Sequence, residues 1–288
     1  MTHTETIDRN TIEEKSDRTL HDLIFARYRQ PVETGTVALN PVLEAILSHR
    51  SVRDYLPTPL PQGALETIVA AAQSASTSSN LQAWSVVAVK DPDRRARLAA
   101  LSGHQRQIVQ APLFLVWLAD LSRLRAIAKG LDRTSEGLDY IETFLLAVID
   151  ATLAAQNAVV ALESLGLGSC YIGGIRNQPE AVAAELRLPP ETIAIFGLTV
   201  GYPDPDKPAE IKPRLSQNIV LHHELYGEEH PAAPLDLYNA TLRIFQAEQN
   251  LSPIDWTDQA TSRISTADAL KGRQLLTDVI RALGFALK

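Results

Sequence analysis

The stretch SEGLDYIETFLLAVIDATLAAQNAVVALESL (135–165) decides the fold, because it is the longest periodic segment and a helix-ending glycine, Gly166, follows it. It predicts one helix over 135–165 that is about 45 Å long at 1.5 Å per residue. A helix this apolar must be buried over most of its circumference. Asp150 and two amides interrupt it, and a membrane span needs about 20 mostly apolar residues. We therefore expect a buried helix that forms either the spine of the core or a subunit interface.

Apolar runs on both sides of this helix predict strands. WSVVAVK (84–90) is β-branched, PLFLVWLA (112–119) is fully apolar and so predicted central, and TIAIFGLTVGY (192–202) is a third run. SCYIGG (169–174) predicts a short strand that enters a glycine turn. Helices are predicted from Pro61 to about Ser74 and over 92–101, 120–129 and 178–186. Because strands and helices do not alternate one for one, an α+β arrangement is favoured over a doubly wound parallel sheet.

The two ends of the chain differ from this middle part. Residues 1–15 are polar and acidic, which predicts disorder and is unlike a signal peptide. Residues 17–29 predict an amphipathic helix, followed by the linker PVETGTVALNP (31–41). We divide the chain into an N-terminal extension with a short helix (1–39), a core (40–233) and a C-terminal helical excursion (234–288) packed on the core or on a partner subunit.

Composition and charge exclude several classes of protein. The chain has 288 residues, of which 45% are hydrophobic and 21% charged, as in soluble globular proteins. Its net charge of −7 argues against a nucleic-acid-binding protein, which usually carries a basic surface. The single cysteine, Cys170, excludes an intramolecular disulfide and a cysteine zinc site, predicts a buried thiol and fits a reducing cytoplasm. No membrane partner is expected.

Several catalytic motifs can be set aside. Gly166-Leu167-Gly168 lacks the third glycine of a dinucleotide-binding fingerprint and follows a helix instead of a strand, so it predicts a helix-ending turn. The sequence contains no phosphate-binding P-loop and no G-x-S-x-G nucleophile. His222 and His223 are adjacent, which is not metal-ligand spacing, so no metal site is expected.

The stretch HRSVR (49–53) is the strongest candidate for chemistry. It follows a short helix that Asn40 can cap and Pro41 can start. Two neighbouring guanidiniums repel each other unless an anion lies between them, and their planar forks suit phosphate oxygens. For these five residues taken alone, a solvated basic helix end is the favoured interpretation. A second basic patch at Lys212 and Arg214 favours the phosphate, because two patches can neutralise a dianion from two sides.

The polar loops between these patches suit a flat ring. STSSNLQ (76–82) and GHQRQ (103–107) can supply hydrogen bonds to the edge of a heteroaromatic ring. The paired glycines in YIGG (171–174) let backbone N–H groups approach such a ring closely. A ligand with one phosphate and one broad polar ring fits this set of side chains. Flavin mononucleotide (FMN) is such a ligand.

Between about Ala45 and Tyr226 the sequence resembles the FMN-dependent nitroreductase superfamily. The similarity is greatest to its NADPH-preferring, oxygen-insensitive branch, which includes the flavin reductases of luminous bacteria. The segments that carry it occur in the family's order and at compatible spacing. They are HRSVRDY (49–55), STSSNLQ (76–82), GHQRQIVQAP (103–112), AVVALESLGLGSCYIGGIRN (158–177), FGLTVGYP (196–203) and IKPRL (211–215).

The resemblance implies a nitroreductase-like α+β fold with a central mixed β-sheet flanked by helices. It further implies an interlocked homodimer with two FMN sites, each using residues of both chains and with the long helix supplying much of the contact. The residues implied to hold the phosphate are His49, Arg50, Ser51, Arg53, Lys212 and Arg214. Those implied to meet the ring are Thr77, Ser78, Asn80, Gln105 and Gln107, with the backbone of Tyr171, Ile172, Gly173 and Gly174.

The function implied is an NAD(P)H oxidoreductase that reduces nitroaromatics, quinones or flavins by ping-pong hydride transfer through flavin N5, with no catalytic side chain. Two alternatives stay open, a dedicated free-flavin reductase and a non-enzymatic FMN-binding sensor or carrier. The donor is NADPH or NADH. Relatives carry arginines where this chain reads FQAEQNLSPIDWTDQ (245–259), which weakens the expectation of NADPH. The basic residues that can compensate are Arg243, Arg263, Lys271 and Arg273.

Overall fold

The structure is a computed structural model that describes residues 18–227 and 232–288. The predicted disorder of residues 1–15 lies outside the described residues. The strands are β1 (Trp84–Val89), β2 (Leu113–Asp120), β3 (Gly168–Ile172) and β4 (Thr192–Gly201). The helices are α1 (Leu20–Tyr28), α2 (Pro41–Leu47), α3 (Ala64–Gln73), α4 (Pro92–Leu101), α5 (Arg106–Gln110), α6 (Ser122–Gly130), α7 (Ile141–Ser164), α8 (Pro179–Leu186), α9 (Gln217–Val220), α10 (Ala232–Glu248), α11 (Trp256–Ile264) and α12 (Leu276–Ala282).

The four strands form one sheet in the order β1-β2-β4-β3. Every residue of β2 and β4 is buried, which confirms that the apolar run at 112–119 predicts a central strand. All pairings between the four strands are antiparallel. The sequence predicted a mixed sheet, but among the described residues the parallel pairing consists of one isolated bridge between Ser51 and Ser169. The α+β class is confirmed, but strand direction could not be read from the sequence, because central strands of either direction are apolar on both faces.

The long helix is shorter than predicted. α7 has 24 residues and begins at Ile141, so it is about 36 Å long. The predicted start at Ser135 is wrong, because residues 136–139 form a 3₁₀ turn and Tyr140 is extended. The C-terminal residue holds this turn: the backbone N–H of Lys288 donates to the carbonyl of Asp139 (2.8 Å), and its Nζ donates to the Asp139 carboxylate (2.8 Å). Contacts between residues this far apart leave no local pattern in the sequence.

α7 has two apolar faces with different surroundings. Its alanines, from Ala147 to Ala158, are buried in the main core. On the opposite face Ile141, Leu145, Ile149 and Leu153 recur every four residues and are 45–56% exposed. By length and composition alone α7 could cross a membrane, yet 44% of its most apolar window is buried within the chain. It is a core helix that carries an exposed apolar stripe.

Both ends of the chain pack on the core of the same chain. α1 begins at a capping box in which Thr19 and Asp22 exchange hydrogen bonds. Phe285, near the C-terminus, is buried and meets Phe144 of α7 edge to face. The buried side chains of Leu20 and Leu23 show that α1 packs on its own chain, and buried Phe285 shows the same for the end of the chain.

The predicted helices at 92–101, 120–129 and 178–186 are found within two residues of their bounds. α3 begins at Ala64 and not at Pro61, because Gly63 adopts a left-handed conformation at its N-cap.

Candidate functional site

A cleft of about 270 Å³ joins the two basic patches. We call it the basic cleft. Its walls include six residues that the sequence assigned to a phosphate: His49, Arg50, Ser51, Arg53, Lys212 and Arg214. Arg27 of α1 and Phe245 of α10 also line it. The cleft is smaller than the 300 Å³ or more of typical whole-ligand pockets, so it fits the phosphate end of a ligand such as FMN better than the entire molecule.

The segment 49–53 is held in place by its neighbours on both sides. Asn40 Oδ1 caps α2 by accepting the N–H groups of Val42 and Leu43 at 3.0 Å. After α2 the chain extends along the start of β3, where Val52 N–H donates to the carbonyl of Ser169 (2.8 Å). A Cβ at Gly168 would lie 2.5 Å from the Val52 side chain, so this approach requires glycine. Gly168, which belongs to the rejected dinucleotide fingerprint, is therefore needed so that Val52 can pack against β3.

The charges of the basic cleft favour an anion. Among the described residues, no carboxylate lies within ion-pair distance of Arg50, Arg53, Lys212 or Arg214. Burial and the charges of Arg53 and Arg214 lower the pKa of Lys212.

Two carboxylates line the same cleft, Asp54 and Glu210. Asp54 is already paired with Arg106 (2.8 Å) and Lys207 (3.6 Å). The donors that remain match a phosphate, which accepts charge-assisted hydrogen bonds from several sides.

Sequence reasoning missed two residues that support the cleft, Glu163 and Arg27. His49 Nδ1 donates to Glu163 Oε1 (2.7 Å) at the end of α7, which orients the imidazole. Arg27 donates to the carbonyls of Leu47, His49 and Lys212. In sequence, Glu163 is one polar residue of a long helix and Arg27 one basic residue of an amphipathic helix, so neither carries a local signal.

The loop at 76–82, here the ring loop, lies elsewhere in the chain. Thr77 and Asn80 line a second cleft of about 400 Å³, which shares no residue with the basic cleft. Thr77 Oγ1 donates to Asp150 Oδ2 (2.5 Å), and the N–H of Ser78 donates to Asp150 Oδ1 (3.1 Å). The N–H of Ala83 donates to the same carboxylate (3.3 Å). Asp150, which the sequence presented only as an interruption of α7, thus anchors the ring loop to the core.

The remaining predicted residues form two local groups. Gln107 Nε2 donates to Gln105 Oε1 (2.8 Å), and neither glutamine lines the basic cleft or the second cleft. In the YIGG segment, Ile172 is buried, and burial raises the pKa of the partly exposed Tyr171 to about 12.

The two glycines of this segment differ in their surroundings. A Cβ at Gly174 would lie 2.3 Å from the carbonyl oxygen of Ser102, so packing demands glycine there. A Cβ at Gly173 would meet only ordinary contacts, with Arg176 and Arg273 at 3.6 and 3.9 Å. Gly173 therefore leaves room beside two guanidiniums.

Comparison with known proteins identifies the family. The nitroreductase family matches residues 46–202, and the C-terminal domain of the nitroreductase family matches residues 212–288. The FMN reductase (NADPH) of Bacillus subtilis is 36% identical over 253 residues, which cover 86% of this chain and 99% of that protein. The oxygen-insensitive NADPH nitroreductase of Salmonella typhimurium is 40% identical over 188 residues, 65% of this chain and 75% of that protein.

A solved structure shows the same fold. NfrA1 of B. megaterium superposes with a TM-score of 0.80 at 39% identity, covering 86% of this chain and 100% of that one. Both family segments lie C-terminal to α1, so this helix is outside them. With most of its length matched in sequence and in fold, the chain belongs to the nitroreductase family.

Proposed function

We propose that this protein is an FMN-dependent NAD(P)H oxidoreductase that reduces nitroaromatics, quinones or flavins. The observation that carries the proposal is the basic cleft, where four cationic side chains from two distant segments have no carboxylate partner among the described residues. Relatives named FMN reductase (NADPH) and oxygen-insensitive NADPH nitroreductase support the same activity.

The side chains of the basic cleft would bind and orient the cofactor. Arg50 and Arg53 would present guanidinium forks to the phosphate from one side, and Lys212 and Arg214 would neutralise it from the other. With Nδ1 of His49 donating to Glu163, its Nε2 would accept the Ser51 hydroxyl in the neutral ring and would donate to the phosphate in the doubly protonated ring. Hydride transfer through flavin N5, in a ping-pong sequence from NAD(P)H to the acceptor, is the chemistry that bound FMN supplies.

We assign the residues predicted to meet the flavin ring the roles that the resemblance to nitroreductases implies. Thr77, Ser78 and Asn80 would line the ring, Gln105 and Gln107 would hydrogen-bond its edge, and the backbone of residues 171–174 would approach it. Backbone N–H groups aimed at the ring favour negative charge there, which is the charge of a reduced flavin. No side chain acts as a nucleophile in this proposal.

We propose that the active form is an interlocked homodimer with both chains contributing to each FMN site. Two observations support this. The ring loop and the basic cleft lie apart within one chain, and α7 exposes a stripe of large apolar side chains, which marks an interaction surface when contiguous.

Placing charge on the α7 stripe should separate the subunits. The double variant Leu145→Glu/Ile149→Glu is expected to halve the mass measured by light scattering after gel filtration, because two carboxylates on each chain would be buried without partners. FMN should be lost together with the dimer. Ile127→Glu, on the exposed face of α6, is the matched control and should keep both. A dimer of unchanged mass in the double variant would show that α7 is not the interface.

We propose NADPH as the preferred donor. Of the four basic residues that can compensate for the missing arginines, Arg243 is paired with Asp255. Arg273 lies beside Gly173. Burial, and after it the positive charge of nearby Arg263, lowers the pKa of Arg273. Two neighbouring guanidiniums outside the basic cleft suit the 2′-phosphate that distinguishes NADPH from NADH.

Anaerobic titration of the purified protein with NADPH and with NADH tests the function. The bound flavin spectrum is expected to bleach at a lower concentration of NADPH and to return when a quinone or nitroaromatic is added. Equal bleaching by both donors would contradict the assignment of Arg263 and Arg273. A colourless protein that does not take up FMN would contradict the whole proposal.

One outcome of this titration and one steady-state kinetic measurement distinguish the alternatives. Bound FMN that neither nucleotide bleaches would indicate a sensor or carrier. A low KM for FMN as substrate would favour a dedicated free-flavin reductase, whereas a high one counts against it.

The chain's organisation and location complete the proposal. We infer an extension (1–39), an FMN-binding core (40–233) and a C-terminal excursion (234–288), together acting in the cytoplasm. The lone buried thiol of Cys170 and the absence of disulfides among the described residues support a reducing compartment. Cell fractionation with detection of the protein tests the location, and recovery in the membrane pellet would contradict it.

A further inference from the structure

Helix α1 lies outside the matched family segments and reaches the basic cleft. The matched family segments span residues 46–202 and 212–288, whereas α1 spans Leu20–Tyr28. In the cleft wall, α1 contributes one side chain, Arg27. Arg27 is half-buried, and burial together with the charge of Arg214 lowers its pKa. A half-buried cation placed among cations is unfavourable unless its neighbours compensate it.

The compensation comes from backbone carbonyls of both halves of the cleft. Arg27 Nη2 donates to the carbonyls of Leu47 (3.1 Å) and His49 (2.8 Å). Its Nη1 donates to the carbonyl of Lys212 (3.0 Å). In return the carbonyl of Arg27 accepts the N–H of Arg214 (2.9 Å). One residue of α1 thereby joins the segment at 47–49 to the segment at 212–214.

These bonds have a direct consequence for an anion in the cleft. A carbonyl oxygen that faces a phosphate repels it, whereas a carbonyl engaged by a guanidinium is turned away from it. Arg27 engages two carbonyls at the first basic patch, those of Leu47 and His49, and one at the second, that of Lys212. It thereby holds the patches at a fixed separation before any ligand binds, which lowers the ordering cost of binding.

We propose that Arg27 is a positioning residue for the FMN phosphate, so that the N-terminal extension is a structural part of the cofactor site. The proposal rests on the proposed function, because it takes the basic cleft to be the phosphate site. Arg27 is not assigned as a ligand, since its described hydrogen bonds go to carbonyls.

The test measures the affinities of the full-length apoprotein for FMN and for riboflavin, which is FMN without its phosphate. In Arg27→Gln the Kd for FMN is expected to rise about tenfold or more, the scale of one lost charge-assisted interaction. The Kd for riboflavin should change less than about twofold, since the phosphate alone is affected. Arg27→Lys should resemble Arg27→Gln, because an ammonium keeps the charge but lacks the planar fork that spans three carbonyls.

The matched control is Arg29→Gln at the C-cap of the same helix. Arg29 pairs with Glu248 of α10 (2.9 Å) and does not line the cleft. A partly exposed pair of this kind contributes little, so the Kd for FMN should stay within about threefold. Melting temperatures of all variants in the apo form report any general loss of stability.

Three results would overturn the inference. Unchanged FMN affinity in Arg27→Gln, while Arg50→Ala/Arg53→Ala loses FMN, would leave the phosphate site intact and remove Arg27 from it. Equal losses for FMN and riboflavin in Arg27→Gln would assign Arg27 to general support of the fold. Full rescue by Arg27→Lys would mean that its charge acts and not its bridging geometry. Retention of FMN by the Arg50/Arg53 double variant is the separate result that contradicts the phosphate site itself.

Discussion

The double variant Arg50→Ala/Arg53→Ala is expected to lose FMN during purification. Both side chains line the basic cleft, and among the described residues neither forms an ion pair with a carboxylate that would compete with the phosphate. A hydrogen bond to a charged group contributes about 1.5–3 kcal/mol. Two such contacts amount to about 3–6 kcal/mol, which raises the Kd for FMN by roughly 10²- to 10⁴-fold.

The ratio of flavin to protein after gel filtration measures this loss, and fluorescence titration of the apoprotein measures the Kd. Arg94→Ala/Arg97→Ala is the matched control, because it removes the same charge from a surface site where both arginines pair with Glu185. The control should keep stoichiometric FMN. If the Arg50/Arg53 variant keeps it as well, the phosphate lies elsewhere in the protein.

The variant Asp150→Ala is expected to show the largest loss of stability. Its carboxylate is 1% exposed and accepts hydrogen bonds from Thr77 Oγ1 and from the N–H groups of Ser78 and Ala83. Alanine would leave these donors without their acceptor and open a small void. A buried donor left unpaired costs about 1–3 kcal/mol, and with three donors affected we expect a total loss of about 3–5 kcal/mol. For a chain of this size the melting temperature should fall by about 6–20 °C.

Thermal unfolding of the apoprotein is the measurement, because bound FMN would itself shift the transition. Thr152→Ala is the control on the exposed side of the same helix, where Thr152 Oγ1 donates only to the carbonyl of Val148. Its effect should stay within about 0.5 kcal/mol. Thr77→Ala removes one of the three donors and should lie between the two. Equal melting temperatures for Asp150→Ala and Thr152→Ala would show that the ring loop is anchored by other contacts.

The elements of the fold were largely readable from the sequence. The runs at 84–90, 112–119 and 192–202 became strands because long β-branched or apolar stretches suit a buried sheet. α7 was recognised from its periodicity, but its first turn was not. Gly137 and Asp139 are weak helix formers, and the turn they belong to is held by the C-terminal Lys288.

The sequence by itself determined which segments form strands and helices, where the basic and glycine-rich segments lie, and that the chain resembles the nitroreductases. These properties depend on residues that are close together in the chain. The sequence predicted that segments 49–53 and 212–214 act on one phosphate, and the tertiary structure places both in one cleft. Only the tertiary structure decided that Arg27 joins them and that Asp150 holds the ring loop. Hydrogen bonds and charge pairs act over a few ångströms in space, and folding alone sets the distances between residues that lie far apart in sequence.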